Sequence, residues 1–159
     1  MTAAPLNQLT LGILASTRKP DERRLPIHPL HFERIEPELR QRIILEEGYG
    51  ERFGVSDVHL ASLVGRLASR EELIADADVV LLPKPQPEDL AELRDGQVLW
   101  GWPHCVQDRA ITQLAIDKKL TLIAFEAMNT GPVTAASGFT SSTRTTSWPA
   151  TAQSFTPWP

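Results

Sequence analysis

Short apolar runs alternate with amphipathic segments along most of the chain. The runs are partly β-branched, as is typical of buried strands, and they cover 9–15, 42–46, 78–82, 97–102 and 120–128. Between them, Ser56 is a good helix N-cap, and Ser69 with Glu72 forms a capping box. This alternation predicts an α/β fold, Rossmann-like or flavodoxin-like, with a largely parallel sheet and helices on both faces. We expect this chain to contain only part of that fold.

Helix signals fill the gaps between the predicted strands. Pro29 suits the first turn of a helix, and Pro37 must bend or end that helix. Further helices are predicted after Ser56, from Ser69 to about Ala75, and at 87–94 and 107–119. Ligands of such folds bind beyond the carboxyl ends of the strands, so the loops that follow the strands are the places to look for chemistry.

Composition narrows the class of protein. The chain has 159 residues, of which 42% are hydrophobic and 23% charged, and this balance fits one globular domain. A formal net charge of -4 gives no basic surface of the kind that nucleic acid or an anionic membrane selects. The apolar runs are far shorter than the roughly 20 residues that span a bilayer. We expect neither nucleic acid nor a membrane as a partner.

Cysteine usage and the first residues bear on location. Cys105 is the single cysteine, so an internal disulfide is excluded, and the start MTAAPLNQLT lacks the basic and apolar regions of a signal peptide. We expect a reducing, cytoplasmic location. One cysteine beside one histidine is also too little for a metal site, and we expect no metal.

The character of the sequence changes after Asn129. Residues 130–159 contain no Asp, Glu or Lys and are rich in Ser, Thr and Pro, which is typical of a disordered tail. A second interpretation is a shifted reading frame. For the segment from Gly138, codons can be chosen that encode an ordinary globular sequence when they are read in another frame. We therefore expect a catalytic domain at 1–129 and an out-of-frame, disordered tail at 130–159.

Three predicted strand-end loops hold groups that a small carboxylic acid would need. Arg24 lies in DERRLPIHP, and its planar guanidinium can pair with a carboxylate through two hydrogen bonds. Lys84, among three prolines in LLPKPQP, can bind a carboxyl or keto oxygen or carry a proton. His104 in LWGWPHC can carry a proton near neutral pH. Each residue also has a structural interpretation. Arg24 would be part of a solvated run of charges, Lys84 a surface lysine in a turn, and His104 a structural histidine.

One glycine-rich segment resembles a nucleotide-binding loop. GYGERFG has the spacing Gly-x-Gly-x-x-x-Gly from Gly48, and its glycines do not themselves open a helix. We interpret it as a turn, and we expect no cofactor-binding residue in this chain.

The ordered set of motifs resembles the N-terminal region of the alanine dehydrogenase and transhydrogenase family. The set comprises Glu-x-Arg in DERRLPIHP, the segment GYGERFGVSD, Lys84 at a strand end, and His104 in the next strand-end loop. The resemblance covers roughly 9–128. The phrases RRLPIHP and GWPHC look closer to the branch of that family that includes carboxyethylornithine synthase and saccharopine dehydrogenase.

The resemblance implies roles for four residues. Arg24 and Lys84 would hold the substrate carboxylate and keto oxygen, His104 would be the acid/base, and Glu126 would be a weaker substrate-binding candidate. NAD or NADP would be bound by a separate Rossmann domain that lies beyond this chain. Relatives of full length are expected to be homo-oligomers.

The sequence thus predicts the front part of an NAD(P)-dependent oxidoreductase that acts on amino-acid C–N bonds. It would be alanine dehydrogenase-like or opine-forming, and this chain alone would be inactive. Two alternatives are a cofactor-free module that binds a small amino or keto acid, and a nonfunctional fragment.

Resequencing the gene from the codon of Met128 downstream tests the frame hypothesis. We expect that restoring one base opens a frame running into a glycine-rich nucleotide-binding fold. An intact frame that stops after Pro159 would instead contradict the dehydrogenase interpretation and favour the binding module.

Overall fold

A sheet of six parallel strands forms the centre of the computed structural model, which describes residues 9–127. The strand order is β3-β2-β1-β4-β5-β6, and every neighbouring pair is parallel. The strands are β1 (Leu11–Ile13), β2 (Ile43–Glu46), β3 (Arg66–Ala68), β4 (Val79–Leu82), β5 (Val98–Gly101) and β6 (Thr121–Ala124). This confirms the predicted α/β class and its parallel sheet.

Short helices connect the strands, because parallel neighbours require a crossover connection. Five are α-helical: α1 (Pro37–Arg40), α2 (Asp57–Leu63), α3 (Arg70–Asp76), α4 (Pro87–Glu92) and α5 (Arg109–Asp117). Three are 3-10 helices, at Pro29–Arg34, Glu51–Phe53 and Phe125–Ala127. Among residues 9–127, no helix is both long enough and apolar enough to cross a membrane.

Each face of the sheet has its own apolar core, because alternate residues of a strand point to opposite faces. On one face, Val80, Leu82 and Leu99 pack with buried residues of α3, α4 and α5. On the other, Leu45 and Leu81 pack with α2 and with the 3-10 helix at Pro29–Arg34 through Leu60 and Phe32. Helices therefore cover both faces, as predicted.

Two local features differ from the sequence-based expectation. The helix expected from Pro29 is a 3-10 helix, and α1 is a separate element that begins at Pro37. The edge strand β3 was not predicted, because Arg66-Leu67-Ala68 is too short to show an apolar run. The predicted tail at 130–159 lies outside the described residues.

The position of β1 creates a cleft at the carboxyl edge of the sheet. β1 pairs with β2 on one side and with β4 on the other, so the connections run outwards in opposite directions from this point. In open α/β sheets, ligands bind in the crevice that such a reversal leaves beyond the carboxyl ends of the strands.

Gly101, the last residue of β5, permits a close approach to β4. Leu82 pairs with Gly101, and a Cβ at this position would overlap the Leu82 carbonyl oxygen. Because a backbone atom cannot move aside as a side-chain tip can, we expect Gly101→Ala to lower the free energy of unfolding by about 1–3 kcal/mol. Chemical denaturation measures this, and a loss well below that range would show that the two strand ends do not need the close contact.

Candidate functional site

The predicted site residues follow the carboxyl ends of four strands. Lys84 lies just beyond β4, His104 beyond β5 and Glu126 beyond β6, while Arg24 lies in the long loop after β1. Because the strands are parallel, these four ends share one edge of the sheet. The topology therefore places all four residues at the same edge.

Lys84 is held in a stiff loop. Pro83 and Pro85 on either side of it are buried, and Trp102 donates a backbone hydrogen bond of 2.8 Å to the Pro83 carbonyl. The Lys84 ammonium nitrogen lies 5.8 Å from the centroid of the Trp102 ring, within the range of a cation–π contact. Lys84 is thus directed towards the loop that follows β5.

His104 meets Lys84 directly. Its Nε2 is in hydrogen-bond contact with the Lys84 Nζ. The His104 backbone is left-handed, with φ of 50°, a conformation that is uncommon outside glycine. Gln107 and Asp108 stabilise this turn by donating backbone hydrogen bonds of 2.8 and 3.0 Å to the His104 carbonyl.

The contact restricts the protonation of the pair. An ammonium has only donors, so a protonated Lys84 needs the free lone pair of Nε2, and the histidine hydrogen must then be on Nδ1. The contact therefore specifies one tautomer of His104 when Lys84 is an ammonium.

Glu126 lies on the other side of His104. Its Oε1 accepts a hydrogen bond of 3.2 Å from the His104 backbone N–H and lies 4.0 Å from Nδ1. The side chains of His104 and Glu126 are 36% and 39% exposed, so both remain accessible. A cavity of about 480 Å³ adjoins them between the β5 loop and β6.

Arg24 is paired with Glu22. The Nε and Nη2 of Arg24 donate hydrogen bonds of 2.7 and 2.5 Å to the two carboxylate oxygens of Glu22. Glu22 is nearly buried, whereas 59% of the Arg24 side chain is exposed. Hydrogen bonds from Arg24 lower the pKa of Glu22 from 4.5 to about 2. Glu22 therefore remains a carboxylate and fixes the guanidinium.

The structure brings three of the four predicted residues into one cluster. Lys84, His104 and Glu126 form it, whereas Arg24 lies in a narrower cleft between the ends of β1 and β4. Within residues 9–127, Arg24 makes no hydrogen bond to the other three. Pro83 lines the Arg24 cleft, so the loop that carries Lys84 adjoins both that cleft and the cluster.

Sequence reasoning missed Glu22 and Asp89. Glu22 was visible only as part of the Glu-x-Arg motif. Asp89 is 2% exposed and accepts hydrogen bonds from groups far away along the chain, among them Thr17 and Arg70. Its one sequence signal is its position in the first turn of a helix that begins at Pro87, and that signal does not reveal burial.

The described residues do not fit a dinucleotide, although the strand order is that of Rossmann folds. Phosphate binding there needs free backbone N–H groups after β1. Here the N–H groups of Ala15 and Arg18 are bonded to the carboxylates of Glu46 and Asp89. The glycine segment forms a turn at Gly48, whose N–H is bonded to Asp57. In residues 9–127, no three His, Cys, Asp or Glu side chains gather as metal ligands.

Fold and site together define a class: an α/β domain with a lysine–histidine contact and a carboxylate-paired arginine at the carboxyl edge of its sheet. The comparison with protein families gives the particular group. The family model described as "Alanine dehydrogenase/PNT, N-terminal domain" matches residues 12–139. This chain belongs to that family, as its motifs indicated.

Curated relatives include two kinds of enzyme. The chain is 32% identical over 97 residues to N(5)-(carboxyethyl)ornithine synthase of Clostridium botulinum, covering 60% of this chain and 29% of that protein. It is 31% identical over 130 residues to alanine dehydrogenase of Mycobacterium tuberculosis, covering 77% of this chain and 33% of that protein. The chain thus spans about a third of the length of these relatives.

Solved structures show the same fold. An L-alanine dehydrogenase superposes with a TM-score of 0.60 at 20% identity, covering 74% of this chain and 32% of the other. A transhydrogenase from Sinorhizobium meliloti gives a TM-score of 0.60 at 19% identity, covering 77% and 36%. In both, the similarity covers about a third of the larger chain.

The Glu22–Arg24 pair predicts a pH-dependent contribution to stability. Because the pKa of Glu22 is lower in the folded protein, the stabilisation is complete above pH 4.5 and is lost as the pH falls towards about 2. The difference in unfolding free energy between wild type and Glu22→Gln should therefore shrink over this range. Denaturant titrations at several pH values measure it, with Glu33→Gln at an exposed position as control. A difference that does not vary with pH would contradict the pairing.

Proposed function

We propose that this chain is the substrate-binding, proton-transferring part of an NAD(P)-dependent oxidoreductase that acts on the C–N bond of an amino acid. The observation that carries the proposal is the contact between Lys84 and His104 at the carboxyl edge of the sheet. Membership of the family and the two kinds of curated relative support an alanine dehydrogenase-like or an opine-forming reaction.

Arg24 would bind the substrate carboxylate. Its Nε and Nη2 are bonded to Glu22, which leaves Nη1 and the second hydrogen of Nη2 for an incoming carboxylate. Because Glu22 already fixes the plane of the guanidinium, little side-chain freedom is lost when the acid binds. The 59% exposure of Arg24 leaves that edge open.

Lys84 and His104 would act on the keto or imino carbon. The Lys84 ammonium would bind the keto oxygen, and His104 would donate a proton to that oxygen or accept one from it. The hydrogen-bond contact between the two side chains places them both beside the same atom. Glu126 holds the His104 backbone and lies near Nδ1. We assign it a positioning role, in which it favours the tautomer with hydrogen on Nδ1.

NAD or NADP would be bound outside the described residues. The single cysteine supports a cytoplasmic location for the protein. The alternative is a cofactor-free module for a small amino or keto acid, with which the occupied N–H groups after β1 are also consistent. The gene sequence downstream of Met128 separates these two functions.

Binding of pyruvate to paired arginine variants tests the carboxylate site. We expect Arg24→Gln to weaken binding about 10- to 100-fold, the effect of losing hydrogen bonds to a charged group. Arg23→Gln, at the adjacent exposed position, should bind like the wild type and controls for net charge. Calorimetric titration of each variant gives the affinities.

Two results would overturn this assignment. If the wild type shows no pyruvate binding, the acid site does not exist in this chain. If Arg23→Gln and Arg24→Gln weaken binding equally, the effect comes from overall charge, and Arg24 has no specific role.

A further inference from the structure

We propose that Thr17 and Asp89 are positioning residues for Lys84, which they hold in place through its backbone carbonyl. This inference rests on the function proposed above, because it concerns the lysine of the same site. Within residues 9–127, no hydrogen bond joins either residue to His104 or Arg24, so the proposed action passes through Lys84.

The Lys84 loop is poor in backbone donors. Pro83, Pro85 and Pro87 have no N–H group, so the loop cannot fix itself by its own backbone hydrogen bonds. A bond from outside the loop reaches the Lys84 carbonyl: the Thr17 hydroxyl lies 2.6 Å from that oxygen. Thr17 comes from the loop after β1, so it ties β1 to the end of β4.

Asp89 in turn holds Thr17. Its Oδ2 lies 2.8 Å from the Thr17 hydroxyl and accepts a hydrogen bond of 2.8 Å from the Gln86 backbone N–H. Its Oδ1 accepts a hydrogen bond of 2.6 Å from the Arg70 guanidinium. Asp89 is 2% exposed, and a buried carboxylate requires such partners. The carboxylate therefore joins the loops after β1 and β4 to the first turn of α3.

The geometry makes the hydroxyl the essential group. A threonine hydroxyl has one hydrogen, yet Thr17 faces two acceptors, the Lys84 carbonyl and the Asp89 carboxylate. The hydrogen can bond to either acceptor, so the hydroxyl links the Lys84 carbonyl to the carboxylate. A side chain of the same shape without a hydroxyl would leave the carbonyl without this bond.

Acetylation of Lys84 by acetic anhydride, read by mass spectrometry, tests the inference. In the wild type, we expect the contact with His104 and partial burial to slow the reaction of Lys84 relative to the exposed Lys119. Thr17→Val keeps the shape and removes the bond, so we expect Lys84 to react about 2- to 10-fold faster, in line with the loss of one hydrogen bond. Pyruvate affinity should fall by a similar factor. Thr17→Ser keeps the hydroxyl and should restore most of both.

Thr10→Val is the matched control. Thr10 also bonds a carboxylate, with its hydroxyl 2.8 Å from Asp78, and it joins the same two strands at their amino ends. It should lower stability without changing the reaction rate of Lys84. Should Thr17→Val not fold, Thr17→Ala against Thr17→Ser gives the same comparison.

The outcomes separate the positioning role of Thr17 from the proposed function. The positioning role is overturned if Lys84 reacts equally fast in wild type and Thr17→Val, or if Thr10→Val speeds its reaction equally. If the wild type binds no pyruvate, the proposed function fails, while the acetylation rates still decide whether Thr17 holds Lys84.

Discussion

The parallel pairing of β1 with β4 in the middle of the sheet is the constraint on which the rest of the structure depends. It brings the loop after β1, which carries Thr17 and Arg24, beside the loop that carries Lys84. The next pairing, β4 with β5, is tight because Gly101 has no side chain, and it brings His104 to Lys84. The contact between Lys84 and His104 is therefore a consequence of strand order and of one glycine.

Carboxylates organise the positive groups at this edge. Glu22 fixes Arg24, Asp89 bonds Arg70, and Glu126 supports His104. Each carboxylate removes conformational freedom from a cation or a proton carrier before any ligand arrives, which is how a preorganised site gains affinity. Carboxylates also bond the N–H groups after β1 that a dinucleotide phosphate would need.

Local patterns predicted the class of fold, the positions of most strands and the strand-end loops, because buried parallel strands are apolar and helix caps are short-range signals. Lys84 and His104 could be selected because each follows such a strand. Their contact could not be predicted, since it depends on the pairing of β4 with β5. The same holds for Asp89, whose partners Thr17 and Arg18 lie about 70 residues away along the chain. The strand β3 was not predicted because three residues are too few to show a hydrophobic pattern.

We propose that Lys84 and His104 act together on a bound keto acid. Nuclear magnetic resonance of the imidazole rings during a pyruvate titration tests it most directly, because the chain has only four histidines. We expect pyruvate to shift the ring signals of His104 saturably. The signals of the Lys84 side chain should follow the same curve, while those of His28, His31 and His59 stay constant. Equal shifts of all four histidines, or a shift of His104 without Lys84, would contradict it.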